Sequence, residues 1–174
     1  MGVRARAFVA ALVVTALAGG ACGRPFSGRV VYQGDHPYYR SVAELRDKAD
    51  LVVEVTVADP RVDKLYPTDL GPEPPEETGV VITVYAATVT KVHKGTPDPI
   101  IQVQQMGGES NGVVYEQEGG IPFTEGVAYL LFLAQYPDAP AALLNPYQAQ
   151  YEISGSGYRS LGDNQLTVTP ADLG

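Results

Sequence analysis

Two stretches decide the fold class: LVVEVTVA at residues 51–58 and VVITVYAATVTKV at residues 80–92. In the first, Leu51, Val53, Val55 and Val57 fall on one face and Glu54 and Thr56 on the other, the period of two that marks a half-buried strand. The second is long, β-branched and closed by Lys94-Gly95, so it too reads as a strand. Downstream, the same signal returns at residues 100–106, 113–118, 127–136, 151–155 and 165–169. Asn111-Gly112 separates two of these runs, and because both residues tolerate positive φ it predicts a tight hairpin.

Upstream, one segment has helical period. Val42, Leu45 and Ala49 lie on one face, and Ser41 with Glu44 makes a capping box, which predicts a short amphipathic helix over 41–49. Residues 23–40 mix Gly, Pro and aromatic residues without a period and read as a tether. Residues 59–79 carry five prolines together with Glu73, Glu76 and Glu77, which predicts a long acidic loop. A helix followed by at least five strands with short spacers predicts a mainly β domain over 41–174. Its expected architecture is an OB-like, closed or partly open β-barrel with one short helix before the first strand. Leu51, Val53, Val55, Val84, Leu131 and Leu133 are its expected core.

Composition removes several function classes. The chain has 174 residues, 45% hydrophobic and 18% charged, which suits a packed domain and not wholesale disorder. A single Cys excludes a disulfide framework, and two His without Cys pairs do not meet zinc-site spacings. The formal charge of −8 opposes nucleic-acid binding, which needs clustered cations to release counterions. After Lys94 the only cation is Arg159, against nine carboxylates.

The first 22 residues carry an address. Arg4 and Arg6 form a positive n-region, and residues 8–18 form an uncharged run of Ala, Val and Leu, half the length a membrane span needs. Gly19, Gly20 and Ala21 then lead into Cys22, the only cysteine. This arrangement resembles a bacterial lipoprotein signal, with Gly19 where an aliphatic residue is usual. The resemblance implies cleavage of residues 1–21, acylation of Cys22 with fatty chains such as palmitate, and a lipidated tether over 22–40. The protein would then sit on the extracytoplasmic face of the cell membrane, held by its lipid without a spanning helix.

A second resemblance rests on spacing. Ala49 to Val57, Tyr85 to Gly95, the strand at Ile100, and Gly126 to Leu133 with its "G..YLLFL" run are similar to the netrin-like, tissue-inhibitor-of-metalloproteinase-like OB-fold, and to small Gram-positive lipoproteins of unassigned function. The likeness covers roughly residues 45–135. In those inhibitors an N-terminal cysteine's free amine binds the target's zinc. An acylated Cys22 has lost that lone pair, so inhibition by that mechanism is not implied here.

Catalytic constellations are sparse. Gly108-Glu109-Ser110-Asn111-Gly112 satisfies G-x-S-x-G, yet Val113 and Val114 continue as strand where a nucleophile elbow needs a helix, and both His36 and His93 precede Ser110. Asp35 and His36 fall short of a metal-ligand set, and His93 reads as a solvated strand-end residue. Glu109, Glu116 and Glu118 read as a wet strand face that would at most contribute to a cation site. Eleven tyrosines, several beside Gly and Pro, suit a recognition surface. The expectation is therefore a surface-tethered binding module for an extracytoplasmic protein or small ligand, with no cofactor, no metal and no nucleic-acid partner. Tyr66, Asp69, Glu73, Glu76, Glu77, Tyr136 and Tyr147 are its candidate binding residues. The alternatives are a serine hydrolase using Ser110 and a carrier of divalent cations or small ligands.

Overall fold

The computed structural model describes residues 28–66 and 79–174. In chain order it comprises β1 (Gly28–Tyr32), α1 (Val42–Lys48), β2 (Leu51–Leu65), β3 (Val80–Lys94), β4 (Ile100–Ser110), β5 (Val113–Gln117), β6 (Ala128–Tyr136), β7 (Ala139–Leu143), β8 (Gln150–Ser154), β9 (Gly157–Ser160) and a C-terminal 3-10 turn, Pro170–Leu173. No helix among the described residues is long and apolar enough to cross a membrane.

The strands form a single sheet in the order β1-β5-β4-β3-β2-β6-β8-β9, with β7 off this path and paired to β4 and β6. The expected OB-like barrel is thus corrected: the sheet is not closed into a barrel, and its path ends at β1 and β9. The physical reason lies in where the apolar side chains go. Leu51, Val53, Val55, Val57, Tyr129, Leu131 and Leu133 pack in one core with Tyr85, Val103 and Phe123. Val52, Leu130 and Phe132, on the opposite faces of β2 and β6, pack in a second core with Val42, Leu45, Ala49, Tyr151, Val168 and Leu173. A barrel has one interior, whereas here the sheet is covered on both faces where β2 meets β6. All six expected core residues are buried.

The helix forms as the sequence dictates, with one change of partner. Ser41 caps it by accepting the Glu44 N–H at 3.2 Å, and the Glu44 carboxylate accepts the Arg40 N–H at 2.8 Å, one residue ahead of the cap. Asn111 (φ 52°) and Gly112 (φ 74°) both occupy the left-handed region and join β4 to β5 with Ser110 opposite Val113, the predicted hairpin.

Three boundaries differ from the sequence reading. β2 continues past Pro60 to Leu65 because the ladder to β3 skips Asp59 and Pro60 in a bulge, with Asp59 at φ 51°, so the proline needs no ladder donor. The interval read as a 59–79 loop therefore begins as strand. The segment read as tether supplies β1, which runs parallel to β5 and places Gly28 opposite Val113. Residues 165–169 are not a strand; Val168 is buried there by the second core, on the approach to the 3-10 turn.

Candidate functional site

The site is a cleft that opens where two strands part. β7 runs parallel to β4 for only two pairs, Val103 with Ala141 and Gln104 with Ala142. Beyond them β4 turns away to pair with β5, through Gly107 (φ 112°) and Gly108 (φ 141°), while β7 ends at Leu143. Only glycine suits that bend: a Cβ on Gly107 would meet the Tyr115 carbonyl oxygen at 2.7 Å. The gap left between the two strands is a cleft of about 750 Å³.

Its lining has three parts. Leu65, Ile82, Met106, Leu143 and Leu144 give apolar wall, His36, Tyr66 and Tyr136 give aromatic and imidazole surface, and Gln104, Gln105, Gln117 and Asn145 give neutral polar surface. Asp138 is the one charged side chain among the described lining residues. Gln105, Met106, Gln117, Leu143 and Pro146 also form a wall of a smaller neighbouring cleft of about 480 Å³. Apolar walls with a few fixed polar groups are the usual make-up of a small-ligand site.

The amide side chains differ in how they are employed. Gln105 donates to the Ile121 carbonyl and to Gln150 Oε1, both at 3.0 Å, and accepts the Phe123 N–H at 2.9 Å. Asn145 donates to the Pro37 carbonyl at 2.8 Å and accepts the N–H groups of Tyr147 and Gln148. These two are structural. Gln117 Nε2 lies 3.3 Å from His36 Nε2, the amide donating and the ring nitrogen accepting, which orients the imidazole. Gln104 is 7% exposed and its carboxamide oxygen has no partner. A buried acceptor left unmade costs free energy, so Gln104 is the anomaly of the cleft.

His36 is brought to the rim by its neighbours in sequence. The Pro37 carbonyl is held by Asn145, and Tyr39 is held at both backbone polar groups by the carboxamide of the buried Gln148, N–H to Oε1 at 2.9 Å and Nε2 to C=O at 2.8 Å. Tyr147 meets His36 edge-on, with centroids 6.2 Å apart.

The sequence candidates divide accordingly. Tyr66 and Tyr136 line the same cleft, and Tyr147 backs it through His36. Asp69, Glu73, Glu76, Glu77 and Cys22 lie outside the described residues. Ser110 sits at the last position of β4, beside the hairpin turn, in a strand–turn–strand setting unlike a nucleophile elbow. Glu116 is ion-paired with Arg29, and among the described residues no three His, Cys, Asp or Glu side chains group to hold a metal.

Two features escaped the sequence reading. One is the glutamine set, whose sign in the sequence was the run of Gln102, Gln104 and Gln105 in a strand that opens with Ile100 and Ile101. The other corrects the solvated reading of His93. Its side chain is 5% exposed, and its Nε2 lies 2.8 Å from Glu54 Oε1. That oxygen also accepts the Tyr158 hydroxyl at 2.6 Å, and Lys91 lies 3.6 Å away. Burial, the largest influence, pushes the Glu54 pKa up, but the Tyr158 and His93 hydrogen bonds and the Lys91 charge together outweigh it and hold the carboxyl below its ordinary value. Burial and the Glu54 carboxylate raise the Tyr158 phenol.

This cluster lines neither cleft and acts as a clasp between β2, β3 and β9. Because the Glu54 pKa is lowered on folding, its contribution is complete above the ordinary value of 4.5 and fades as pH falls through the lower folded value. Tyr158→Phe is expected to cost ~1–2 kcal/mol at neutral pH, read by urea unfolding. The difference from wild type should shrink in acid below about pH 4.5; a constant difference down to pH 3 would mean that Glu54 is not the group involved.

No protein-family model matches the chain, and no curated protein matches it.

Proposed function

We propose that this protein is an extracytoplasmic, lipid-anchored binding module whose ligand enters the cleft between β4 and β7. One observation carries the reading: a cleft of about 750 Å³ that gathers Tyr66, Tyr136 and His36 around a buried glutamine acceptor with no partner. Rings that present an apolar body and a polar tip suit recognition of a small organic group, and among the described residues the two imidazoles that could serve Ser110 as a base are engaged elsewhere, His36 with Gln117 and His93 with Glu54. The anchor part of the reading rests on the signal-like run ending at Cys22, whose acyl chains would keep the acidic domain at the membrane against its own charge repulsion.

Two measurements test it. Thermal-shift screening of uncharged fragments should yield hits that raise the melting temperature of the wild type and lose their effect in Tyr136→Ala. That residue is 52% exposed, so its truncation should leave stability within about 0.5 kcal/mol. Hits that survive Tyr136→Ala and Tyr66→Ala unchanged would place binding elsewhere. For the anchor, Cys22→Ala should move the protein from the detergent phase to the aqueous phase on Triton X-114 partitioning; an unchanged distribution would remove the lipid from the proposal.

A further inference from the structure

We infer that the ligand is a single-chain amphiphile drawn from the bilayer, its acyl tail in the smaller cleft and its polar head in the larger one. This deepens the binding reading above and rests on both its parts, the cleft and the anchor at Cys22.

The two clefts differ in what lines them. Around the smaller, of about 480 Å³, Tyr85, Met106, Val114, Tyr115, Ile121 and Leu143 present apolar side chains and ring faces, and the charge of its Glu116 is met by Arg29. The larger, of about 750 Å³, adds His36, Tyr66 and Tyr136. Met106 and Leu143 belong to both, so the clefts meet along one wall. An apolar slot beside a roomier, more polar chamber repeats the order of tail and head in an amphiphile.

Position is the second observation. Six residues take the chain from Cys22 to Gly28, a reach of about 20 Å at full stretch. Gly28 opens β1 opposite Val113, the neighbour of Val114 at the rim of the smaller cleft. β1 is fixed there: Tyr32 stacks on Tyr115 with centroids 5.8 Å apart, its hydroxyl accepts the Val81 N–H at 3.0 Å, and its carbonyl accepts the Glu118 N–H at 2.9 Å. Acyl chains on Cys22 therefore hold this rim on a short leash to the bilayer, and a tail leaving the bilayer meets the apolar slot first. β1 also ends the sheet with Val30 and Val31 exposed. An apolar edge of that kind invites strand pairing in water, and a lipid surface covers it.

A chain-length series on the Cys22→Ala protein tests the site: hexyl, octyl and decyl maltoside, each below its micelle concentration, with the ring signals of Tyr115 and Tyr136 followed by NMR. Affinity should rise about tenfold for each added pair of methylenes, the worth of burying them, and both signals should shift. Val114→Asp in the same background should weaken decyl maltoside about tenfold and flatten the dependence. The chain-length series stands as a test even if that variant does not fold. Equal affinities along the series, with Tyr136 shifting and Tyr115 unmoved, would overturn the amphiphile inference and leave the cleft reading intact. If no maltoside moves either signal, the amphiphile inference falls, and the fragment screen above decides the cleft by itself.

The source is tested with the protein bearing Cys22 in phosphatidylcholine vesicles that contain a lysophosphatidylcholine with a diazirine at its tail end. Photolysis should label residues 114–121, and Cys22→Ala added to the same vesicles should be labelled several-fold less. Labelling confined to other segments, or equal labelling with and without Cys22, would overturn the bilayer as the source. A failed Triton X-114 partition would remove that source as well, without touching the maltoside result.

Discussion

Leu131→Ala is expected to destabilise the protein by about 2–5 kcal/mol, the range of leucine truncations in closed cores. Leu131 is fully buried in β6, opposite Val53 of β2 on one side and Gln150 of β8 on the other. Its side chain belongs to the core shared with Tyr85, Val103 and Phe123. The main chain around it is pinned by ladders to both neighbours, so the cavity left by the three missing heavy atoms has little freedom to collapse. Equilibrium urea unfolding of the variant beside Val114→Ala, whose side chain is 39% exposed, gives the comparison. The control should move by less than about 0.5 kcal/mol. A Leu131→Ala loss equally small would mean that β6 does not sit at the centre of the sheet.

Gln148→Ala is expected to have an effect of similar size for a different reason, about 2–5 kcal/mol, because it deletes no large apolar group but strands several polar ones. The Gln148 carboxamide accepts the Tyr39 N–H and an Asn145 N–H and donates to the Tyr39 carbonyl, all out of contact with water. Alanine leaves those groups unpaired at roughly 1–3 kcal/mol apiece, less whatever a penetrating water recovers. Gln148→Glu discriminates further: it keeps the acceptor for Tyr39 N–H but sets a carboxylate against the Tyr39 carbonyl, so it should be no better than alanine. The functional consequence follows from chain connectivity. Tyr39 and Pro37 are the fixed points that hold His36 at the cleft, so the Gln148→Ala protein should also bind cleft ligands more weakly under conditions where it remains folded. Unchanged affinity in a destabilised variant would show that His36 contributes nothing to the site.

The reading of the chain in period two located β2 to β6 and β8, and the turn chemistry of Asn111-Gly112 set the β4–β5 hairpin, because side-chain alternation and positive φ are local properties. The capping pair Ser41 and Glu44 fixed the helix start for the same reason. Closure was not local. Whether β6 meets one core or two depends on which elements cover its second face, and Val42, Leu45, Tyr151, Val168 and Leu173 come from three separate parts of the chain. The apolar run Tyr129 to Leu133, with no polar alternation, was the sequence sign of two-sided burial, but it is equally compatible with a barrel stave.

The candidate site divides along the same line. That Tyr66 and Tyr136 are candidate binding residues was an expectation from sequence, and the signal-like run ending at Cys22 is linear information by nature. That Tyr66 and Tyr136 share one cleft with His36 and Gln104 was decided by the tertiary structure, since it follows from β7 leaving β4 after two residue pairs. The roles of the glutamines were settled there as well. Gln104 and Gln105 are neighbours of one type, and only the positions of Ile121, Phe123 and Gln150, brought in from elsewhere in the chain, satisfy one and leave the other's oxygen without a partner. Hydrogen-bond satisfaction is a property of three-dimensional neighbours, whereas periodicity and turn preference belong to the chain itself, and that difference separates what the sequence of this protein determined from what its folding decided.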